Sequence, residues 1–236
     1  MLQFKQNLKE ISTALLDIAA PRRCMRCSIE GTWLCPQCIT EVVRDPKLSC
    51  IVCEIPHPRG ATCIPCRQLS PVRSLIHGAP YDAPWIRAGI SWLKFRGITD
   101  IAPTLASLIA PKLLNIAPLA TLRSEYVLVP MALHAKRRRA RGFNQSELIA
   151  RALQEQTGIS VQNALVRIRN TPSQARLPKQ LRDQNVADAF SLNETPIKEN
   201  VIIIDDVATS GATLTQAARP FSSAKYKVFS AVIAKG

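Results

Sequence analysis

The chain is poor in aromatic residues, which make up 5% of it, and nine glycines are outnumbered by seventeen prolines. So little glycine, with no periodic spacing, excludes fibrous and low-complexity classes. Acidic residues are also scarce, 17 against 31 Lys plus Arg, so the formal charge is +14. That excess favours anionic partners such as nucleic acid, phosphorylated metabolites or acidic lipid surfaces, without choosing among them. No apolar run approaches the roughly 20 residues that a bilayer span requires; the N-terminal stretch 14–20 is broken by Asp17. Lys5, Lys9, Glu10 and Asp17 likewise interrupt what would have to be the continuous core of an export signal. Neither G-x-G-x-x-G nor G-x-x-x-x-G-K-[ST] occurs, which argues against a dinucleotide fold and a P-loop NTPase. No thiol follows residue 66.

Against these absences, 236 residues with 47% apolar side chains suit one ordinary domain plus a small one and exclude wholesale disorder. Residues 1–22 read as an amphipathic helix, with Leu8, Ile11, Leu15 and Ile18 spaced three or four apart. Without an export signal the chain is expected in the cytoplasm, where paired cysteines more often hold metal than form disulfides.

All eight cysteines fall into four C-x2-C pairs: Cys24/Cys27, Cys35/Cys38, Cys50/Cys53 and Cys63/Cys66. Two such knuckles supply the tetrahedral sulfur shell of a structural Zn²⁺ site, so four imply two zinc ions and a double zinc ribbon over 23–68. Sequential grouping closes shorter loops, over spacers of seven and nine residues. A crossed grouping remains compatible with the spacing. Four thiolates leave no open position for catalysis, and His57 reads as a loop residue.

From 201 the chain reads VIIIDDVATSGAT. A β-branched run entering a small-residue turn and then an apolar-periodic stretch predicts a buried parallel strand, a loop and a helix. Ligands of open α/β sheets gather beyond strand carboxyl ends, where Asp205 and Asp206 would project. Ala208, Thr209, Ser210, Gly211, Ala212 and Thr213 offer backbone N–H groups, hydroxyls and a glycine for close approach, and the following helix N-terminus favours an anion. Adjacent carboxylates can accept hydrogen bonds from vicinal hydroxyls. A phosphate beside a diol describes a ribose 5-phosphate. Upstream, HAKRRRARGFNQ at 134–145 places five cations in six positions next to another expected strand end. Residues 169–185, polar and carrying Pro172 and Pro178, read as a loop.

VIIIDDVATSGAT resembles the phosphoribosyl pyrophosphate (PRPP) motif of type I phosphoribosyltransferases, and its pairing with cysteine knuckles resembles the ComF family of bacterial competence proteins. VPMALHAKRRRARGFNQSELIARAL at 129–153 and RNTPSQARLPKQLRDQN at 169–185 are similar to two further signatures of that family, and IRAGISWLKFRG at 86–97 agrees more weakly. The resemblance spans essentially the whole chain. It implies a pyrophosphate loop around 130–134, beginning at Pro130, with Arg141, Gly142, Asn144 and Gln145 as signature positions. It also implies a lid carrying Thr171, Gln174, Arg182 and Asn185, and Mg²⁺ bound with PRPP. In such an enzyme Asp205 and Asp206 would be the catalytic carboxylates and 208–213 the 5-phosphate loop. The family's biology points to DNA uptake and transformation, single-stranded DNA and a competence helicase. A non-catalytic nucleic-acid-binding or regulatory protein on the same scaffold is the alternative. Against strand binding by stacking, the few aromatics do not interleave with the basic run.

Strands are expected near 74–81, 126–129, 164–168, 201–204 and 227–234, and helices near 84–95, 101–115, 144–156 and 212–223. The alternation predicts an α/β fold with a mostly parallel, doubly wound sheet over 70–236.

Overall fold

The computed structural model of the chain describes residues 21–44, 48–171, 186–193 and 200–236. The helix expected over 1–22 lies almost wholly outside them. Four strands form one parallel sheet: β1 (Val72–Pro80), β2 (Tyr126–Pro130), β5 (Asn200–Ala208) and β6 (Lys227–Lys235), in the order β1-β6-β5-β2. The expected α/β architecture is therefore present. A separate antiparallel pair joins β3 (Leu165–Arg167) to β4 (Phe190–Leu192). The strand expected near 164–168 thus belongs to this small ribbon and not to the parallel sheet, because it pairs with 190–192, whose strand character the sequence did not suggest.

Strand β5 lies between β2 and β6, and its β-branched run is buried on both faces. Ile202 and Ile204 enter one core with Ile149 and Leu153 of α6 (Gln145–Thr157), and Leu93 of α2 (Pro84–Phe95) belongs to the same core. Val201 and Ile203 enter the other with Leu214, Ala217 and Phe221 of α7 (Ala212–Ser223). Each large aliphatic side chain so buried contributes about 1.5–3 kcal/mol. Helix α6 is capped at both ends: the Asn144 side chain accepts from the Ser146 N–H, and Gly158 closes the helix in the left-handed region. The long helix expected over 101–115 is broken. A 3₁₀ turn at Thr99–Ile101, the short α3 (Ala102–Ala106) and a second 3₁₀ segment, Ala110–Asn115, replace it. Pro103 and Pro111 each sit in a first turn, where a missing N–H is tolerated, and neither can continue a helix entering from before it. A further helix, α4 (Leu119–Glu125), leads into β2, and α5 (Ala135–Arg141) follows it.

Both sheet edges are partly covered. On β1, Leu75 N–H donates to the Gly60 carbonyl at 2.9 Å and Thr62 N–H to that of Arg73 at 2.9 Å. On β2, Leu128 N–H donates to Ser160 and Gln162 N–H to Leu128. These bonds occupy part of each otherwise unpaired edge. The cysteine segment straddles the β1 side: Cys24, Leu34, Cys35 and Cys38 belong to the core under α2 and α6, and Ile51 to the core under α7. Helix α1 (Pro36–Arg44) carries Cys38 inward.

Gly60 is the tightest point of that seam. It has φ +59°, and a Cβ there would lie 2.2 Å from the Leu75 carbonyl oxygen, a backbone atom with little room to yield. Gly60→Ala should cost about 3 kcal/mol. A thermal midpoint equal to wild type would show that the seam does not carry the edge.

Candidate functional site

Within each cysteine group every sulfur lies within 4.8 Å of the others: Cys24, Cys27, Cys35 and Cys38 form one, Cys50, Cys53, Cys63 and Cys66 the second. The grouping is sequential. The Cys27 and Cys35 sulfurs are 3.6 Å apart and those of Cys53 and Cys63 3.5 Å, close to the ~3.8 Å edge of a tetrahedron with zinc–sulfur bonds near 2.3 Å. Burial pushes the Cys24 thiol up, but hydrogen bonds from the backbone of Cys27, Cys35 and Arg26 outweigh it and bring it down to about 6. Cys50 is lowered to about 6 in the same manner. Burial and then the neighbouring thiols push Cys38 up to about 12; the Cys63 thiol and then burial do the same to Cys66. Four sulfurs so crowded cannot all ionise unaided, and a divalent cation is what lets them. The residues fit two structural metal ions, each on the order of 10 kcal/mol of folding free energy.

The second group reaches the sheet. Cys50-Ile51-Val52-Cys53 packs Ile51 beneath Gly211, where a Cβ would meet Ile51 Cγ1 at 2.6 Å and its carbonyl oxygen at 3.1 Å. Gly211 has φ +75° and caps α7. Around this contact, the Ser70 and Thr215 hydroxyls are 2.8 Å apart and Lys235 pairs with Glu54 at 3.2 Å.

A cavity of about 620 Å³ opens at the carboxyl ends of β5 and β2. The loop 208–213 and the start of α7 form one wall through Ala208, Thr209, Gly211, Ala212 and Thr213. The first N–H groups of a helix have no partners inside it, so this wall presents donors. Ser210 does not line the cavity; its hydroxyl is buried without a hydrogen-bond partner among the described residues.

Asp205 and Asp206 line the floor, 7% and 4% exposed, and lie inside β5, which runs to Ala208 and not only to 204 as the apolar run suggested. Asp205 Oδ1 accepts from Ser146 Oγ of α6 and from the Asp206 N–H, both at 2.9 Å. Asp206 Oδ1 accepts from the Val207 N–H at 2.9 Å, and Asp206 Oδ2 pairs with Lys94 Nζ of α2. Burial raises the Asp205 carboxyl to about 6 against the opposing pull of Lys94, Ser146, Arg167 and Arg141. Burial also lowers Lys94 to about 8, Asp205 opposing and Arg141 adding to the shift. Four cations, Lys94, Arg137, Arg141 and Arg167, thus face two carboxylates across the cavity.

Of the other expected positions, Arg141 and Gln145 line the cavity and are hydrogen-bonded to each other. Asn144 does not; its amide donates to the Met131 carbonyl at 2.9 Å and so positions the turn before α6. Gly142 is exposed at φ +83° and ends α5. Pro130 ends β2, whose ladder continues through Met131 N–H to the Ile204 carbonyl, and Met131 and Leu133 line the cavity in its place. Thr171 is buried: its carbonyl accepts from Arg137 and its hydroxyl from Arg167. Gln174, Arg182 and Asn185 lie outside the described residues. Lys94, Arg137, Arg167, Ser146 and Tyr81 were not anticipated. Lys94 sits in the weakly matching segment 86–97, and Arg137 and Arg141 are four apart, a helical spacing hidden inside the basic run.

Fold and site together define an α/β protein with a cationic cavity at its strand ends and two four-cysteine groups on one flank. No family model matches the chain. It is 30% identical over 210 residues to DNA utilization protein YhgH of Escherichia coli K12, covering 86% of this chain and 91% of that protein. Competence protein F of Haemophilus influenzae is 32% identical over 132 residues, 54% of this chain and 57% of that protein. Competence protein ComFC of Bacillus subtilis is 32% identical over 131 residues, 55% and 50%. Among solved structures, orotate phosphoribosyltransferase from Aeropyrum pernix matches with a TM-score of 0.34 and 15% identity over 61% of this chain and 62% of that one. The chain belongs to the ComF family of competence and DNA utilization proteins.

Cys66→Ser should remove one metal per chain and speed amide exchange at 209–215, whereas Cys27→Ser should remove one metal and leave those amides protected. Equal protection in both variants, read by hydrogen exchange with metal analysis alongside, would contradict the link through Ile51.

Proposed function

We propose that the cavity binds PRPP with Mg²⁺, as a phosphoribosyltransferase-type site within a competence-related protein that takes part in DNA uptake. The observation that carries this reading is the meeting, in one cavity, of two buried adjacent carboxylates, a helix N-terminus behind Gly211, and four cations. The loop 208–213 would take the 5-phosphate on its backbone N–H groups. Asp205 and Asp206 would accept from the ribose hydroxyls, with Lys94 exchanging Asp206 for the pyrophosphate. Arg137 and Arg141, drawn inward on one face of α5, would neutralise the pyrophosphate as it leaves with the electron pair of the broken anomeric C–O bond. The two carboxylates would favour positive charge on the sugar in that transition state.

Among the described residues no third group of metal-ligating side chains accompanies the two thiol groups. Asp205 and Asp206 are taken up by Ser146, backbone and Lys94. The fit is therefore to Mg²⁺ that enters on the ligand's own oxygens, where it would offset pyrophosphate charge. Both four-cysteine groups would hold Zn²⁺. We read the chain as a cytoplasmic protein with a double zinc ribbon over 23–68 and the phosphoribosyl domain over 70–236. No single helix among the described residues is long and apolar enough to cross a membrane.

A DNA-related role for the same protein is supported by the names of its relatives and by α5; single-stranded DNA and a competence helicase would be its partners. On α5, Lys136, Arg138 and Arg139 are exposed to solvent.

Calorimetry with PRPP and Mg²⁺ should give saturable binding that the double variant Asp205→Asn, Asp206→Asn weakens by at least tenfold; no binding by wild type would overturn the reading. Hydroxyl donation requires Asp205 ionised and anion capture requires Lys94 charged. Affinity should therefore rise as pH passes about 6 and fall as it passes about 8. A flat profile between about pH 5 and 9, read by the same titration, would separate the carboxylate and the lysine from the ligand.

A further inference from the structure

Phe95, the last residue of α2, is 75% exposed, and every other aromatic side chain among the described residues is buried or half-buried. The other large exposed apolar residues among the described ones are aliphatic. Phe95 has cationic neighbours. The Arg141 guanidinium lies over its ring, 5.7 Å from the centroid. A hollow of about 360 Å³ beside it is bounded by Lys94, Arg137, Arg141 and Phe143. Beyond Phe95 the chain turns at Gly97, with φ +68° and open space where a side chain would stand. This hollow shares Lys94, Phe95, Arg137 and Arg141 with the larger cavity, so it forms an annexe at that cavity's mouth.

An exposed aromatic ring with one guanidinium over it and a second lining the same hollow matches one chemistry well: a flat base stacked on the ring, with its phosphate on the arginines. The cations do not stop at the hollow. Arg137 and Arg141, four apart, face inward, while Lys136 and Arg139, three apart, face solvent on the same helix. A single small anion cannot use both faces, whereas a chain of phosphodiesters can. Bases paired in a duplex have their faces covered by their neighbours, so the ring selects an unpaired strand.

We propose that Phe95, with Arg137 and Arg141, seats a base of single-stranded nucleic acid at the mouth of the phosphoribosyl cavity, the strand continuing across the outer face of α5. The proposal rests on the DNA-handling reading of the protein and not on PRPP binding. It also removes the objection that the aromatics do not interleave with the basic run. Folding brings Phe95 to that run from about 40 residues earlier in the chain.

The test is fluorescence anisotropy of the full chain with a labelled oligothymidylate and with a duplex of the same length, at two salt concentrations. Wild type should prefer the single strand. Phe95→Ala should weaken it roughly tenfold, the loss of one base–aromatic stack, and Phe95→Trp should restore it. Arg141→Ala should reduce the steepness of the salt dependence by about one phosphate contact. Because Phe95 is largely exposed, its truncation spares the core, and an unchanged thermal midpoint verifies this. If wild type binds the strand and Phe95→Ala binds it equally, or if duplex binds as tightly as single strand, the inference is wrong. If wild type binds no strand at all, the DNA-handling reading fails and takes the inference with it.

Discussion

Two neighbouring carboxylates buried in the central strand are the constraint around which the rest of this protein is arranged. Ionised side chains out of contact with water cost several kcal/mol each unless they are paired and hydrogen-bonded. Asp205 and Asp206 are compensated from three directions: Ser146 at the start of α6, Lys94 at the end of α2, and the backbone of β5 itself. Arg141 and Arg167 add charge from α5 and β3. Each element must arrive in register for the acids to be paired and hydrogen-bonded, so the same contacts that stabilise the fold also build an anion-attracting cavity.

The thiol groups serve that arrangement from outside it. A segment of some 45 residues buries too little surface to fold on its own apolar area. Here it lends Cys24, Leu34, Cys35 and Cys38 to one core and Ile51 to the other, and closes the edge of β1 at Gly60. The second thiol group is thereby tied to the position of Gly211, the residue that lets the chain turn from β5 into α7. The contact between Ile51 and Gly211 makes the third knuckle, Cys50/Cys53, a foundation for the loop.

Much of this was legible in the sequence. The C-x2-C spacing gave two sulfur shells, and the run 201–213 gave the strand, the loop and the paired acids. Local patterns of this kind survive folding because each is completed within one short stretch of chain, 24–38, 50–66 or 201–213. What escaped was assembled from afar. Lys94 looked like any cation near a helix end, and only the parallel sheet brings α2 over Asp206. In the basic run, composition could not say which cations turn inward, since that depends on α5 forming and on where its C-terminus at Gly142 points it. Strand 165–167 was recognisable, but its partner 190–192 was not, so its place outside the main sheet could not be foreseen. The proline positions at 103 and 111 were readable as helix starts, and reading through them merged three short elements into one.

The carboxylate constraint can be measured by following the Asp205 side-chain carbonyl through a pH titration by carbon-detected NMR, in wild type and in Lys94→Met. The account predicts a midpoint near 6 in wild type, displaced upward when the lysine charge is removed. A midpoint at the ordinary value of about 4, the same in both proteins, would contradict it.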